Sequence, residues 1–501
     1  MRRGEDVGMA WGGEKDGRKL LSVIVAVCGL AGCVSRPEAP CASTGSYPLP
    51  ATLCNSFAVE DVTSAVPPIA MEPAAKFTSS SESPRPAPSS ERGVAGRMTI
   101  SEVLRRLIRT NPDVGIAAAK EKEQYAAVDG AQAGMLPTLD LTAAAGPQRN
   151  WLSDPAGNAI RREIGLSFRQ NLYDFGAAKS NYERASLAYQ SATNARIAKT
   201  EQTAFDMLDL LLKVHQTDEN IALAKRNIKA HEDILKIVQS NESDGNSTVA
   251  DVKRVTTRLE NAKTSLIDLT TERTNASDAF RRLTELDVDK VVDAVTPRLG
   301  GNPAELSQEK LDRNPDILAI QSEISSLREQ LNSVEGSGRP NLGLESTFKA
   351  GRNMAEPDTS DRKTYANVLV SLRVPLLDGG ANLSARRQVM ARIEAAYLRL
   401  DKRRRELREE AQGAQRITSS DSDKSGSLVA RVKAARKVQD LYFEQFKNGS
   451  RTVFELLDAQ VDLVKAETDL ISQNFSRRRS QIKALLLKGS LVQDMLALAP
   501  Q

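Results

Sequence analysis

From Pro137 the chain alternates, with Leu139, Leu141, Ala143 and Ala145 interleaved with Thr138, Asp140, Thr142 and Ala144. A second alternating run sets Ile164, Leu166 and Phe168 against Gly165, Ser167 and Arg169. Period two gives each segment one apolar and one polar face. Runs of about ten such residues fit transmembrane β-strands with lipid on one side and water on the other, and they fit half-buried strands of a soluble sheet equally well. Ahead of them lies a short Ala-rich helix around 113–134, and beyond them the period changes. Residues 177–240 contain neither Pro nor Gly, and 64 residues at helical rise predict a rod of about 96 Å. Ile221, Ala224, Ile228, His231, Leu235 and Val238 advance by alternating steps of three and four, the seam of a coiled coil. Val252, Val255, Leu259, Ala262, Leu266 and Leu269 repeat that stepping on a return helix.

The same sequence of periods occurs twice. Asn111-Pro112-Asp113 returns as Asn314-Pro315-Asp316, and Pro137 as Pro340, each 203 residues later. Asp174 returns as Asp378 and Gly245 as Gly449, each 204 residues later. Leu342, Leu344 and Phe348, then Val368, Val370, Leu372 and Val374, mark the second pair of strands. Leu456, Ala459, Leu463, Ala466 and Leu470 duplicate the seam. Four landmarks in one order at nearly one offset predict two copies of one unit, 98–293 and 301–496. A polar stretch at 417–427, "ITSSDSDKSGS", has poor helix propensity and is expected to form a locally weakened but continuous helix.

Counting then constrains assembly. Four strands cannot close a membrane barrel, which needs about eight, and an open sheet edge in lipid leaves backbone groups unpaired. Several chains must share one barrel, and a trimer would supply twelve strands.

Composition changes the picture mainly by exclusion. The 69 basic and 65 acidic residues nearly balance, so no large single-sign field points to nucleic acid. Aromatic residues make up 4% of the chain, which suits long helices in mutual contact better than a thick globular core. No mature stretch reaches 18 consecutive apolar residues, which argues against a transmembrane helix there. With no nucleophile–base arrangement, no phosphate-cradling Gly loop and only His215 and His231 as imidazoles, no enzyme, cofactor or metal is expected. His231 on the seam reads as a packed or pore-lining side chain.

The N-terminus reads as an address. Lys15, Arg18 and Lys19 precede an apolar run from Leu20 to Leu30, giving a signal peptide over 1–32. Leu30-Ala31-Gly32-Cys33 resembles a bacterial lipoprotein box, which makes Cys33 the lipidated first residue; the alternative is an ordinary secretory signal followed by a coincidental Cys. Cys41 and Cys54 form either a disulfide or two free thiols. Residues 33–97, rich in Pro, Ser and Glu, are expected to be a flexible tether.

"NPDVGIAAAK", "AGMLPTLDL", "VPLLDGG" and "NGSRTVFELLDAQ", in duplicated order across both units, resemble the TolC-like outer-membrane efflux proteins. That resemblance implies a mainly α fold with membrane β: a homotrimeric twelve-stranded barrel in the outer membrane, continuing into a long periplasmic α-helical barrel. It implies a passive gated conduit in a tripartite export system, opened by a periplasmic adaptor and powered by an inner-membrane ABC or proton-driven transporter. By motif position, Arg451 and Asp251 would form the gate latch, with Phe446 standing where the family usually has Tyr and lacking its hydroxyl. Glu455 and Asp458 would form two acidic rings in the pore. The wording of "QAGMLPTLDL" and "LDGG" favours type I protein secretion, whereas the lipoprotein box favours multidrug efflux.

Overall fold

The computed structural model describes residues 98–149, 158–292, 301–352 and 364–497; Cys33, Cys41, Cys54 and the whole of 1–97 lie outside them. In chain order the elements begin with β1 (Met98–Thr99), α1 (Ile100–Thr110), α2 (Pro112–Ala133), β2 (Thr138–Arg149) and β3 (Asn158–Tyr173). The first hairpin follows as α3 (Ala177–Ser243) and α4 (Val249–Thr284), and then β4 (Val291–Val292). The second half adds α5 (Gln308–Asp312), α6 (Pro315–Ser337), β5 (Asn341–Arg352) and β6 (Thr364–Arg373). It ends with a second hairpin, α7 (Ala381–Lys447) and α8 (Val453–Lys488), and the short α9 (Leu491–Ala497).

The repeated Asn-Pro-Asp phrase opens a helix in both halves. Asn111 accepts from the N–H groups of Asp113 and Val114, and Asn314 from that of Asp316, while each Pro fills a first-turn position that needs no donor. Each Asn amide also donates back to the end of its own return helix. Asn111 reaches the Leu283 carbonyl at 3.2 Å and Asn314 the Leu487 carbonyl at 2.9 Å, satisfying carbonyls that a helix end leaves bare. One tripeptide therefore starts a helix and fastens a hairpin about 170 residues away.

The four long strands form one antiparallel sheet in the order β2-β3-β5-β6. Its register lines up Leu141, Leu166 and Phe348 across three strands, and pairs Leu344 with Val370. Asp140, Ser167, Thr347 and Asn367 align on the other face. The apolar face is uncovered: Leu139, Leu141, Val368 and Val370 are 65–70% exposed. A small parallel pair, β1 with β4, escaped the sequence reading because two-residue strands carry no period.

Each half then runs into a rod. Asp174 accepts from the backbone N–H groups of Gly176 and Ala178, and Asp378 from those of Gly380 and Asn382, so the repeated Asp starts α3 and α7. Both rods have 67 residues, about 100 Å, and both return helices have 36. The polar stretch at 417–427 stays helical. Thr418 and Ser420 hydroxyls donate to carbonyls one turn back, and buried Asp421 accepts from Gln473 of α8 at 2.9 Å. On the seam, Ala224, His231 and Val238 of α3 and Val255, Leu259 and Ala262 of α4 are buried, and Val238 packs with Val255. Burial, assisted by the charge of Arg258, holds His231 below the ordinary imidazole range, so it packs as a neutral ring. Among the described residues, no helix is long and apolar enough to cross a membrane.

Lateral order is the same at every level. The sheet runs β2-β3-β5-β6, the helices next to it α2-α3-α6-α7, and the distal rods α4-α3-α8-α7. One flank always belongs to the first repeat, the other to β6 and α7.

Candidate functional site

The far ends of the two hairpins meet in a shared apolar cluster. Ile234 and Val238 of α3, Val255 of α4, Phe446 of α7, and Val453, Leu456 and Leu457 of α8 pack together. Phe446 is 5% exposed, so the expected latch position is occupied by a ring committed to this cluster. A tyrosine there would bring a hydroxyl needing a partner.

Both return helices start from the same capping box. Thr248 accepts from the Asp251 N–H at 3.2 Å and its own N–H donates to the Asp251 carboxylate at 3.2 Å. Thr452 and Glu455 repeat this at 3.3 and 3.2 Å. Gly245 and Gly449, at φ of 78° and 70°, make the preceding turns in the left-handed region.

The second tip adds an arginine to that frame. Arg451 donates to Glu455 at 2.5 Å and to the Gln445 side-chain oxygen at 2.9 Å, and its guanidinium lies 4.3 Å over the Tyr442 ring. The Thr452 N–H, followed by the Thr452 hydroxyl and Arg451, holds the Glu455 carboxyl below the usual carboxylate range. The latch that the resemblance implies is therefore not closed within one chain, since Asp251 is bonded to Thr248 and Arg451 to its own turn. Asp458, one turn beyond Glu455, lies 3.9 Å from Arg258 of the first hairpin. Arg254 stands 5.1 Å over the ring of Phe454.

Polar ties continue up the rods between the hairpins. Gln460 donates to Asn227 at 3.0 Å, Arg226 bonds Glu467, which Arg436 also holds from within the second hairpin, and Arg479 holds Asp209 through two hydrogen bonds. Arg258, Tyr442 and Gln445 were not singled out from sequence. Arg258 had a legible signal: Arg254 and Arg258 occupy the repeat positions of Asp458 and Asp462, with opposite charge.

A family model described as outer membrane efflux protein matches residues 103–284 and 306–486. The outer membrane efflux protein BepC of Brucella suis biovar 1 is 22% identical over 337 residues, covering 67% of this chain and 74% of that protein. The alkaline protease secretion protein AprF of Pseudomonas aeruginosa is 24% identical over 315 residues, covering 61% and 65% respectively. Among solved structures, the outer membrane channel CmeC of Campylobacter jejuni superposes with a TM-score of 0.69 at 14% identity, over 84% of this chain and 94% of that one.

Proposed function

The chain belongs to the outer membrane efflux protein family, and on that premise we propose that three copies close into one outer-membrane conduit for type I protein secretion. The observation that carries this is the constant lateral order. In the sheet, the helices beside it and the distal rods, one flank is left to first-repeat elements and the other to β6 or α7. A head-to-tail contact between these unlike flanks closes all three levels with a single rotation. It also pairs the bare edges of β2 and β6, which lipid would otherwise leave unsatisfied. Three copies of four strands give the twelve-stranded barrel of the family that the chain resembles, and the rods extend it through the periplasm.

Rotation sets α4 of one copy beside α7 of the next, so the Arg451–Asp251 latch is formed between copies, with Arg451 keeping Glu455 of its own chain and adding the neighbour's Asp251. Phe446 lies behind the latch, and Glu455 and Asp458 line the aperture. A periplasmic adaptor opens it and an inner-membrane ABC transporter supplies the energy. Cys33 carries lipid, with 33–97 as the tether between the anchor and the fold. The second reading, multidrug efflux with a proton-driven transporter, is favoured by the lipoprotein box.

Deletion of the gene separates the two readings. Loss of one or more polypeptides from the culture medium, with drug susceptibility unchanged, supports secretion; the reverse supports efflux. A heat-labile oligomer of three chains in outer-membrane fractions checks closure. Mass spectrometry of the mature N-terminus checks Cys33, and an unmodified terminus elsewhere would remove the anchor.

A further inference from the structure

The two return helices carry opposite charges at equivalent positions. Arg254 and Arg258 of α4 stand where α8 has Asp458 and Asp462, and each pair is spaced by one helical turn. The structure brings the two sets together, with Arg258 at 3.9 Å from Asp458 and Arg254 over Phe454, the residue before Glu455. Glu455 has its own cation in Arg451. The repeat-equivalent pairs Arg254, Arg258 and Asp458, Asp462 supply two charges of each sign at one level of the tip. Lys253, Arg254 and Arg258 also line one groove along the exposed side of α4 with Thr257 and Asn261.

We propose that Arg258, supported by Arg254, sets the charge preference of the aperture by neutralising the acidic ring at Asp458, so that this level of the tip admits anionic cargo as readily as cationic. The proposal rests on the reading of these tips as an aperture. A ring of bare carboxylates favours cations and collects multivalent ones at a constriction. A ring in which each carboxylate faces an arginine has no net field to do either, and rotational symmetry multiplies a balance into a balance. Both groups are partly solvated, at 42% and 51% side-chain exposure, so the pair contributes little to stability and its removal leaves the fold intact. Its consequence is in permeation: acidic polypeptides and anionic small molecules meet no electrostatic barrier at this level.

The test uses full-length purified oligomers in planar bilayers under a potassium chloride gradient, with hexaamminecobalt(III) as the multivalent probe. Wild type is expected to show a reversal potential close to zero and no block by the probe. Arg258→Gln should shift the reversal potential toward cation preference severalfold and create block, Arg258→Lys should behave as wild type, and Asp458→Asn should restore Arg258→Gln. Strong cation selectivity and block in the wild type would overturn the proposal, as would an Arg258→Gln channel of normal conductance with unchanged selectivity. Oligomers that conduct no ions at all would instead overturn the conduit reading, and this proposal with it.

Discussion

The two hairpins of this chain share a backbone and differ in charge. Rods of 67 residues, return helices of 36, a left-handed glycine at each turn and a threonine capping box at each tip recur in both. Position by position the charges part. Buried Glu201 of α3 corresponds to exposed Arg405 of α7, buried Thr217 to buried Asp421, Ser247 to Arg451, and Arg254 to Asp458. Residues that fix backbone geometry are the same, while at the tip the residues of α4 and α8 that meet across the hairpins, Arg258 and Asp458, carry opposite charges. The two halves thereby gain a contact that identical halves would lack, because two like charges facing each other repel.

The largest effect should come from the region where the repeats remain alike. Leu166 and Val370 lie on the uncovered face of the sheet, one in each half. Arginine at the middle of a lipid face costs about 2–4 kcal/mol and would recur in every copy. Leu166→Arg and Val370→Arg should each sharply reduce the heat-labile oligomer in outer-membrane fractions, and the double change should abolish it. Normal assembly of the double variant would mean that the faces of the sheet are assigned the wrong way round.

Next comes Glu201, whose counterpart in the second rod, Arg405, is exposed and carries the opposite charge. Both its oxygens accept from the Val492 N–H at 3.3 Å, so it receives the start of α9 on the first repeat alone. Burial pushes its carboxyl up from 4.5 to about 7, with Asp494 adding to the rise and the N–H groups of Val492 and Leu491 opposing it. A raised carboxyl pKa means that the folded state holds the proton longer than the unfolded chain does. Stability from this group is therefore greatest below pH 4.5 and is lost as pH climbs to about 7. Glu201→Gln removes that loss. It should leave thermal unfolding nearly unchanged at pH 4 and stabilise by up to about 3 kcal/mol per copy at pH 8. A gain of equal size at both pH values would assign the effect to packing.

A smaller contrast separates Thr217 from Asp421. The Thr217 hydroxyl donates to carbonyls of its own helix at 3.0 and 2.8 Å, and so depends on no other element. Asp421 instead accepts from Gln473 and Arg477 of α8. Asp421→Ala leaves the buried Gln473 amide without its acceptor and should cost about 1–3 kcal/mol in denaturant unfolding. Thr217→Val keeps the shape and loses only local bonds, so it should cost less than about 1 kcal/mol.

The alternating strands, the rods and the recurring helix starts were legible in the sequence because each rests on a period or on a residue whose backbone role is local. Asn111 and Gly449 are of this kind. The small β1–β4 pair and the partners of Glu201 were not legible, since both depend on segments brought together from opposite ends of the fold. At the tip, Asp251 was chosen for its motif position, yet its local chemistry is capping. Arg451 was chosen as half of a pair, yet within one chain its partners are Gln445, Tyr442 and Glu455. Motif position points to the two turns, while the bonding inside each depends on which side chains the fold brings together there.

The smallest effect concerns that tip, where the two hairpins differ by a single arginine set on a common cap. The latch proposed between Arg451 and a neighbour's Asp251 is partly solvated and would contribute about 0.2–1 kcal/mol per copy. Three copies can still shift an open-to-closed ratio by roughly tenfold, because about 1.4 kcal/mol in total is enough. Arg451→Ser should therefore raise single-channel conductance without lowering thermal stability, since Thr452 and Glu455 keep their capping box. Asp251→Ala should raise conductance to the same extent but also destabilise, because it removes the acid of the Thr248 box along with the latch. In the double variant the two conductance gains should not add, as both delete one interaction. Additive conductance gains would mean that each residue closes the aperture through a different contact, and the latch would have to be sought elsewhere at the tip.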